Sequence, residues 1–350
     1  MAYAGVIEKY RDLINIPDYS IPISLNEGNT PLIPLPRLAK ELGADFDLFI
    51  KYEGLNPTGS FKDRGMTTAM SEAIGRKVNS VICASTGNTA ASAAAYAAHA
   101  GINSYVLIPR GKVAAGKLAG AITYGAKVIQ IKGSFDDALN LVTKICDILP
   151  IALVNSLNPY RLEGQKTAAF EICEDLGQAP DYLCIPVGNA GNITAYWMGF
   201  KQFDQVKHTS LPVILGVQAS GAAPLVKGHT IDHPETIATA IRIGRPARGE
   251  QALTAASESG GKIIDVTDEQ IIEMQMQLAS HGIWVEPASA AGLAGLKNQI
   301  RKGIIELTGK SIVAVCTGHG LKDPDIIVND IEAPIEIDTD IETLKNIIQG

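Results

Sequence analysis

Four short polar motifs carry residue types that could do chemistry, and each sits where an apolar run ends. The first is Asn56-Pro57-Thr58-Gly59-Ser60-Phe61-Lys62-Asp63-Arg64-Gly65-Met66, a turn-rich stretch after the strand-like Leu48 to Tyr52 that opens a helix. Lys62 falls in the first helical turn. There the positive helix end, the neighbouring Arg64 and desolvation in a cleft all favour a neutral amine, which is the form that attacks an aldehyde. The second, Ser85-Thr86-Gly87-Asn88-Thr89, follows the run Val81 to Ala84 and opens an Ala-rich helix. Its backbone N–H groups offer an anion site; the hydroxyls of Ser85, Thr86 and Thr89 suit a carboxylate, and Asn88 could donate to a phenolate oxygen.

The third motif, Gly188-Asn189-Ala190-Gly191-Asn192, lies between the strand-like Tyr182 to Val187 and a helix around Ile193 to Phe203. Two glycines let the backbone wrap a phosphate, and the helix dipole favours its charge. A P-loop's Lys-Ser/Thr and the G-x-G-x-x-G spacing are both missing, so a single phosphate monoester fits better than a triphosphate or a dinucleotide. The fourth, Cys316-Thr317-Gly318-His319-Gly320-Leu321-Lys322-Asp323, again follows a buried-looking strand. Thr317 could give a neutral hydroxyl to a pyridine nitrogen, leaving that nitrogen largely unprotonated, which suits elimination over transamination.

Each motif has a plain alternative when taken alone. Lys62 and Arg64 could be solvated charges beside a glycine turn, Ser, Thr and Asn are ordinary helix caps, and the last two motifs could be turns without a ligand. Together they describe one molecule: an amine, a phenolate partner, a phosphate cradle and a ring-nitrogen partner specify pyridoxal 5'-phosphate. The six histidines show no paired ligand spacing such as H-E-x-x-H, so no catalytic metal is expected.

The elements that must position these motifs follow a repeating rhythm. Strand-like runs occur at Ser80 to Ala84, Ser104 to Ile108, Lys127 to Ile131, Ile151 to Val154, Tyr182 to Val187, Val213 to Val217, Lys262 to Val266 and Ser311 to Val315. Helix-like stretches separate them at Ser60 to Gly75, Asn88 to His99, Phe135 to Leu149, Thr167 to Leu176, Asp268 to His281 and Ser289 to Lys302. Continuous apolar runs such as Val313-Ala314-Val315-Cys316 imply strands covered on both faces, and parallel strands need helical crossovers. The expectation is an α/β fold of open parallel sheets, which bind ligands at the carboxyl ends of their strands. A length of 350 residues favours two domains, with edges near 50 and 151.

Composition narrows the partners. The chain is 46% apolar, and its net charge of −7 comes from interspersed acids without a Lys/Arg cluster, so neither nucleic acid nor an anionic membrane surface is expected and a small molecule is. The five cysteines are scattered without a C-x-x-C pair and read as buried thiols of a reducing compartment. Glu8, Lys9, Arg11 and Asp12 interrupt the apolar core a signal peptide would need, and no apolar run reaches the roughly 18 residues of a membrane span. A cytoplasmic protein is the expectation, and a homodimer is the commonest assembly.

The motifs together resemble the fold-type II pyridoxal-phosphate enzymes, the tryptophan synthase β-like group, and within it the threonine synthases in their compact bacterial form. The resemblance spans nearly the whole chain and includes Glu27-Gly28-Asn29-Thr30-Pro31-Leu32 and Glu286-Pro287-Ala288-Ser289-Ala290-Ala291 beside the four motifs. It implies two open, mostly parallel twisted-sheet domains with helices on both faces and the active site in the cleft between them. Residues 1–49 with 152–350 would form the larger, phosphate-binding domain, and 50–151 the smaller one with Lys62 and the Asn88 loop. It implies Lys62 as the Schiff-base lysine, Asn88 as the O3′ partner, Gly188, Asn189, Ala190, Gly191 and Asn192 as the phosphate cradle, and Thr317 at the ring nitrogen. It further implies that Asn155, Ser156 and Arg161 bind a phosphate on the substrate, O-phospho-L-homoserine, with Lys51 a weaker candidate for the same charge and a solvated strand-end lysine its equal alternative. The reaction would be γ-elimination of phosphate and addition of water at Cβ, giving L-threonine. A serine or threonine ammonia-lyase of the same fold is the nearest rival, and a non-catalytic binder of phosphorylated metabolites a remoter one. The segment Ile241-Arg242-Ile243-Gly244-Arg245-Pro246-Ala247-Arg248-Gly249 departs from the Pro-Ala-Ser-Trp usual in related sequences, which puts the packing of that loop in doubt. The N-terminal regulatory extension of plant threonine synthases is also missing, so activation by S-adenosylmethionine is not expected.

Overall fold

Strands that are apolar on both faces require helices on both sides of their sheet. The computed structural model, which describes residues 2–43, 45–110, 115–324 and 335–349, supplies that cover twice. The larger sheet has the order β1 (Leu32–Pro34), β2 (Asp47–Tyr52), β10 (Ser311–Cys316), β7 (Tyr182–Pro186), β8 (Val213–Ala219), β9 (Lys262–Val266). The smaller has β5 (Lys127–Ile131), β4 (Asn103–Pro109), β3 (Ser80–Ala84), β6 (Ala152–Leu153). Every pairing is parallel except β1 with β2.

The alternation of β10 shows how one strand serves two cores. Ile312, Ala314 and Cys316 pack among Ile271, Met274, Leu293 and Leu296 of the helices Asp268–Ser280 and Pro287–Arg301. Val313 and Val315 pack among Phe170, Ile193, Tyr196 and Phe200 of the helices Thr167–Leu176 and Gly191–Lys207 on the other face. Each fully buried large side chain of this kind contributes about 1.5–3 kcal/mol. In the smaller sheet Val81 and Cys83 face Met66, Met70 and Tyr96, while Ile82 and Ala84 face Ala138 and Val142.

The sheets exchange the chain a few residues later than the expected edges near 50 and 151. Strand β2 pairs with β10 from Asp47 through Tyr52, which holds it in the larger sheet, and β6 pairs with Val81 and Ile82 in the smaller one. The two sheets meet where the helix Lys62–Gly75 crosses the helix Tyr160–Gln165. Glycine makes that crossing possible. A Cβ on Gly164 would lie 1.7 Å from the Arg64 carbonyl oxygen, and one on Gly65 would lie 2.7 Å from that of Arg161. Backbone oxygens cannot swing aside, so no side chain fits at either position.

A buried charge cluster fixes the same helix from its other side. Arg64 donates from Nε and Nη2 to Glu53 at 2.7 and 2.8 Å, and from Nη1 and Nη2 to Glu171 at 2.8 and 2.6 Å. Lys51 completes it, with Nζ 2.8 Å from Glu171 and donating to the Thr30 carbonyl at 2.7 Å. Burial alone would push the Glu171 carboxyl up, but Arg64 and Lys51 hold it down at about 2. Its contribution to stability is therefore complete above the unfolded carboxylate value of about 4.3 and fades as the pH falls toward 2. Replacing Glu171 by Gln leaves Arg64 with Glu53 alone and Lys51 with only the half-exposed Asp175 at 3.8 Å, and we expect it to cost about 3–5 kcal/mol in urea denaturation. A variant as stable as the parent would show that the cluster does not hold the fold.

Candidate active site

Between the carboxyl ends of the two sheets lies a cavity of about 690 Å³. All four motifs open onto it. Lys62 stands in its wall as the first residue of its helix, and the turn before it is tied down from three directions. Asp63 accepts from the Thr58 N–H at 2.7 Å and from the hydroxyls of Thr58 and Ser92 at 2.6 Å each. The Phe61 N–H donates to the Thr317 carbonyl at 3.0 Å, and the His319 N–H to that of Gly59 at 3.0 Å. Lys322 adds a bond from Nζ to the Thr58 carbonyl at 3.0 Å. The loop of the lysine is thus stitched to the end of β10.

The Lys62 amine is lowered to about 7, first by burial and then by the Arg161 guanidinium, against an opposing pull from Glu286. This revises the sequence argument in one respect. Arg64 is turned away into its carboxylate cluster, and Arg161, nearly a hundred residues on in sequence, is the cation that acts on Lys62. A neutral amine at neutral pH is the state a nucleophile or a base requires.

Asn88 and Thr317 are brought to a common partner that sequence reasoning had left without a role. The Asn88 amide donates to both oxygens of Glu286, at 3.0 and 3.2 Å, and the Thr317 hydroxyl donates to Glu286 at 3.4 Å while lying 2.9 Å from the Ser289 hydroxyl. Glu286 is buried at the start of the helix Pro287–Arg301, and burial raises its carboxyl. Its place in Glu286-Pro287 before an Ala-rich run was a helix-start signal that could have been read.

The loop after β7 has the features of an anion cradle. Ala190 takes the left-handed conformation at φ 66° just before the helix Gly191–Lys207, and a Cβ on Gly188 would come within 3.0 Å of the Ile241 backbone. Both polar atoms of the Asn192 amide are buried and have no hydrogen-bond partner among the described residues. The orphan amide N–H donor, at a helix N-terminus, fits a phosphate. With the Lys62 amine across the same cavity, the donor set fits pyridoxal phosphate.

Arg161 is buried, with Nη1 reaching the Val154 carbonyl at 3.4 Å, while Nε and Nη2 have no partner among the described residues. It sits on the six-residue helix Tyr160–Gln165, too short for its period to show in the sequence. Gln165, one turn further on, also lines the cavity and went unnoticed for the same reason. Ser85, Thr86, Thr89, Asn155 and Ser156, residues expected to meet the substrate, line the wall. The Asn155 amide is paired both ways with the Ala84 backbone, at 2.9 and 2.8 Å, so it braces the Ser85 loop. Lys51 lies outside the cavity and is not available to a substrate, because its ammonium is consumed by Glu171 and Thr30 in the buried cluster.

A family model described as pyridoxal-phosphate dependent enzyme matches residues 23–318. The chain belongs to that family, and pyridoxal phosphate is its cofactor. It is 55% identical to a threonine synthase of Synechocystis sp. over 97% of this chain and 90% of that protein, and 52% identical to a threonine synthase of Halalkalibacterium halodurans over 99% and 98%. A threonine synthase of Methanocaldococcus jannaschii is 51% identical over 97% and 86%. Within the family the chain belongs with the threonine synthases, as a carbon–oxygen lyase. Among solved structures, maize serine racemase superposes with a TM-score of 0.75 at 22% identity over 94% of this chain and 97% of that one. The processed form of threonine deaminase isoform 2 from Solanum lycopersicum gives 0.70 at 21% over 92% and 83%, and both show the shared fold.

The lowered amine makes a test. In the protein freed of cofactor, acylation of Lys62 followed by peptide mass mapping should rise with pH and level off above about 7, whereas exposed lysines keep rising toward about 10.4. A Lys62 midpoint near that of the exposed lysines would remove the argument from burial and Arg161.

Proposed function

We propose that this cavity eliminates phosphate from O-phospho-L-homoserine and adds water at Cβ, giving L-threonine and inorganic phosphate. The observation that carries the reading is Arg161: a buried guanidinium with two donors unpartnered among the described residues, in the same cavity as Lys62 and in addition to the Gly188 to Asn192 cradle. One cavity thereby holds two anion sites, one for the phosphate of a cofactor and one for that of a substrate.

In this reading Lys62 holds the cofactor covalently, the Gly188 to Asn192 loop its phosphate, Asn88 its phenolate oxygen and Thr317 its ring nitrogen. Asn88 has two amide hydrogens and can keep one on Glu286. Bound pyridoxal phosphate supplies an electron sink that stabilises negative charge beside the substrate nitrogen. The hydroxyls of Ser85, Thr86 and Thr89 with the adjoining N–H groups orient the substrate carboxylate, and Ser156 and Arg161 its phosphate. Once the substrate's amine replaces it on the cofactor, the freed Lys62 Nζ, with its pKa near 7, takes the Cα proton and then a Cβ proton, because a base is most effective when its pKa lies close to the working pH. Breaking of the Cγ–O bond releases phosphate as an anion against Arg161, whose charge stabilises it as it leaves. Of the two protons Lys62 has taken, one goes to Cγ, which becomes the methyl group, and one returns to Cα, while water forms the new C–O bond at Cβ and gives its proton to the released phosphate.

The rival ammonia-lyase reaction uses the same cofactor contacts but has no second phosphate, so it leaves the Arg161 donors without a purpose. A cytoplasmic enzyme completes the proposal, supported by five free cysteines and the absence, among the described residues, of a helix able to cross a membrane, with a homodimer as the commonest assembly. The smaller sheet and larger sheet are taken as its two domains.

Incubation with O-phospho-L-homoserine, measuring threonine and phosphate against 2-oxobutanoate released from threonine, separates the two reactions. Replacing Arg161 by Ala should lower kcat/KM for the phosphorylated substrate at least about thirtyfold, the equivalent of about 2 kcal/mol. Equal turnover by the parent and this variant would end the assignment of the second anion site.

A further inference from the structure

Arg248 has no part in the roles above, yet it touches both loops that carry them. It stands at the start of the helix Gly249–Glu258 and is half-buried. Its backbone N–H donates to the Asn189 carbonyl at 3.3 Å, inside the cradle after β7 of the larger sheet. Its guanidinium reaches across to the loop after β6 of the smaller sheet, with Nε donating to the Ser156 carbonyl at 3.2 Å and Nη2 to the Leu157 carbonyl at 3.4 Å. Those are consecutive carbonyls of the turn that carries Ser156 and leads into Arg161.

Beside the Asn155 pair with the Ala84 backbone, the turn is held locally. Leu157 is 42% exposed, and the Asn158 N–H donates to the Asn155 carbonyl at 3.0 Å and the Asn158 amide to the Leu153 carbonyl at 2.9 Å. Two charge-assisted bonds from a planar fork to adjacent carbonyls fix position and orientation together, which a single ammonium does not do. The Arg248 charge is also felt at Arg161, whose guanidinium is lowered to about 10 chiefly by burial and in lesser part by Arg248. A second cation thus adds to the positive field where an anion would bind.

We infer that Arg248 is a positioning residue for the substrate phosphate: it clamps the Ser156–Leu157 backbone against the cofactor-phosphate loop and so sets the pocket formed by Ser156 and Arg161. The inference rests on the proposed function and narrows it, since it makes a residue of the divergent 241–249 segment responsible for affinity toward a phosphorylated substrate.

The test uses the holoenzyme. With Arg248→Ala, the KM for O-phospho-L-homoserine and the inhibition constant of inorganic phosphate should both rise about tenfold, while kcat stays within about twofold. The cofactor absorbance and its retention on dialysis should not change. Arg248→Lys, which keeps the charge but not the fork, should fall between parent and Ala. A purely structural role predicts another pattern, in which kcat, cofactor retention and thermal stability decline together while KM does not. That pattern, or a KM and phosphate inhibition constant within about twofold of the parent, overturns the inference. If Arg248→Ala does not yield folded holoenzyme, Arg248→Gln is read by the same criteria. A parent enzyme that fails to convert O-phospho-L-homoserine would instead refute the proposed function itself, so the two failures are told apart.

Discussion

The buried pairing of Arg64 with Glu53 and Glu171 is the constraint on which the rest of the site depends. Arg64 lies two residues beyond Lys62, and its carboxylate partners belong to the segment after β2 and to the helix Thr167–Leu176. The cations Arg64 and Lys51 face the buried carboxylates Glu53 and Glu171, with the half-exposed Asp175 3.8 Å from Lys51 at the edge, and hydroxyls of Thr30 and Thr167 take up remaining Arg64 donors at 3.0 and 3.1 Å. Taking four charges out of water is costly, and such clusters are tolerated when every member is paired. What this one determines is the rotation of the Lys62 helix about its axis, because the arginine can satisfy both carboxylates from one direction only.

With that rotation set, the glycine crossing at Gly65 and Gly164 decides how close Arg161 comes to the lysine helix. The nearness has an electrostatic consequence. The guanidinium that attracts a second anion also lowers the Lys62 amine, so substrate recognition and the protonation state of the base share one cause. Glu286 works on the opposite wall. It gathers Asn88 from the smaller sheet's helix and Thr317 from the end of β10, and so links the two sheets through a buried carboxylate.

Much of this was readable in local patterns. Strands β3, β5 and β9 end where their apolar runs end, and the helix Thr167–Leu176 matches its periodic stretch, because burial on both faces and capping chemistry act over a few residues. The Lys62, Asn88, Gly188 and Thr317 motifs were readable for a related reason: each lies past the carboxyl end of a strand of a parallel sheet, where such folds bind ligands, and the first three also open helices. Less was readable where a role depends on a distant partner. Lys51 and Arg161 are both basic residues near polar turns, and their sequence neighbourhoods do not say which is sealed in an ion cluster. Asn155 and Asn88 are both amides at strand ends, yet one braces Ala84 and the other meets Glu286.

The class of fold, the cofactor and the four strand-end motifs follow from residue type, spacing and the geometry of single turns, and are written in the chain. Which cation acts on Lys62, the sealing of Lys51 in an ion cluster, the placing of β2 and β6 in different sheets and the reach of Arg248 between two loops emerge on folding. The physical reason is the same in each case: burial and pairing across long separations depend on the packing of whole elements, and no local pattern encodes the partner.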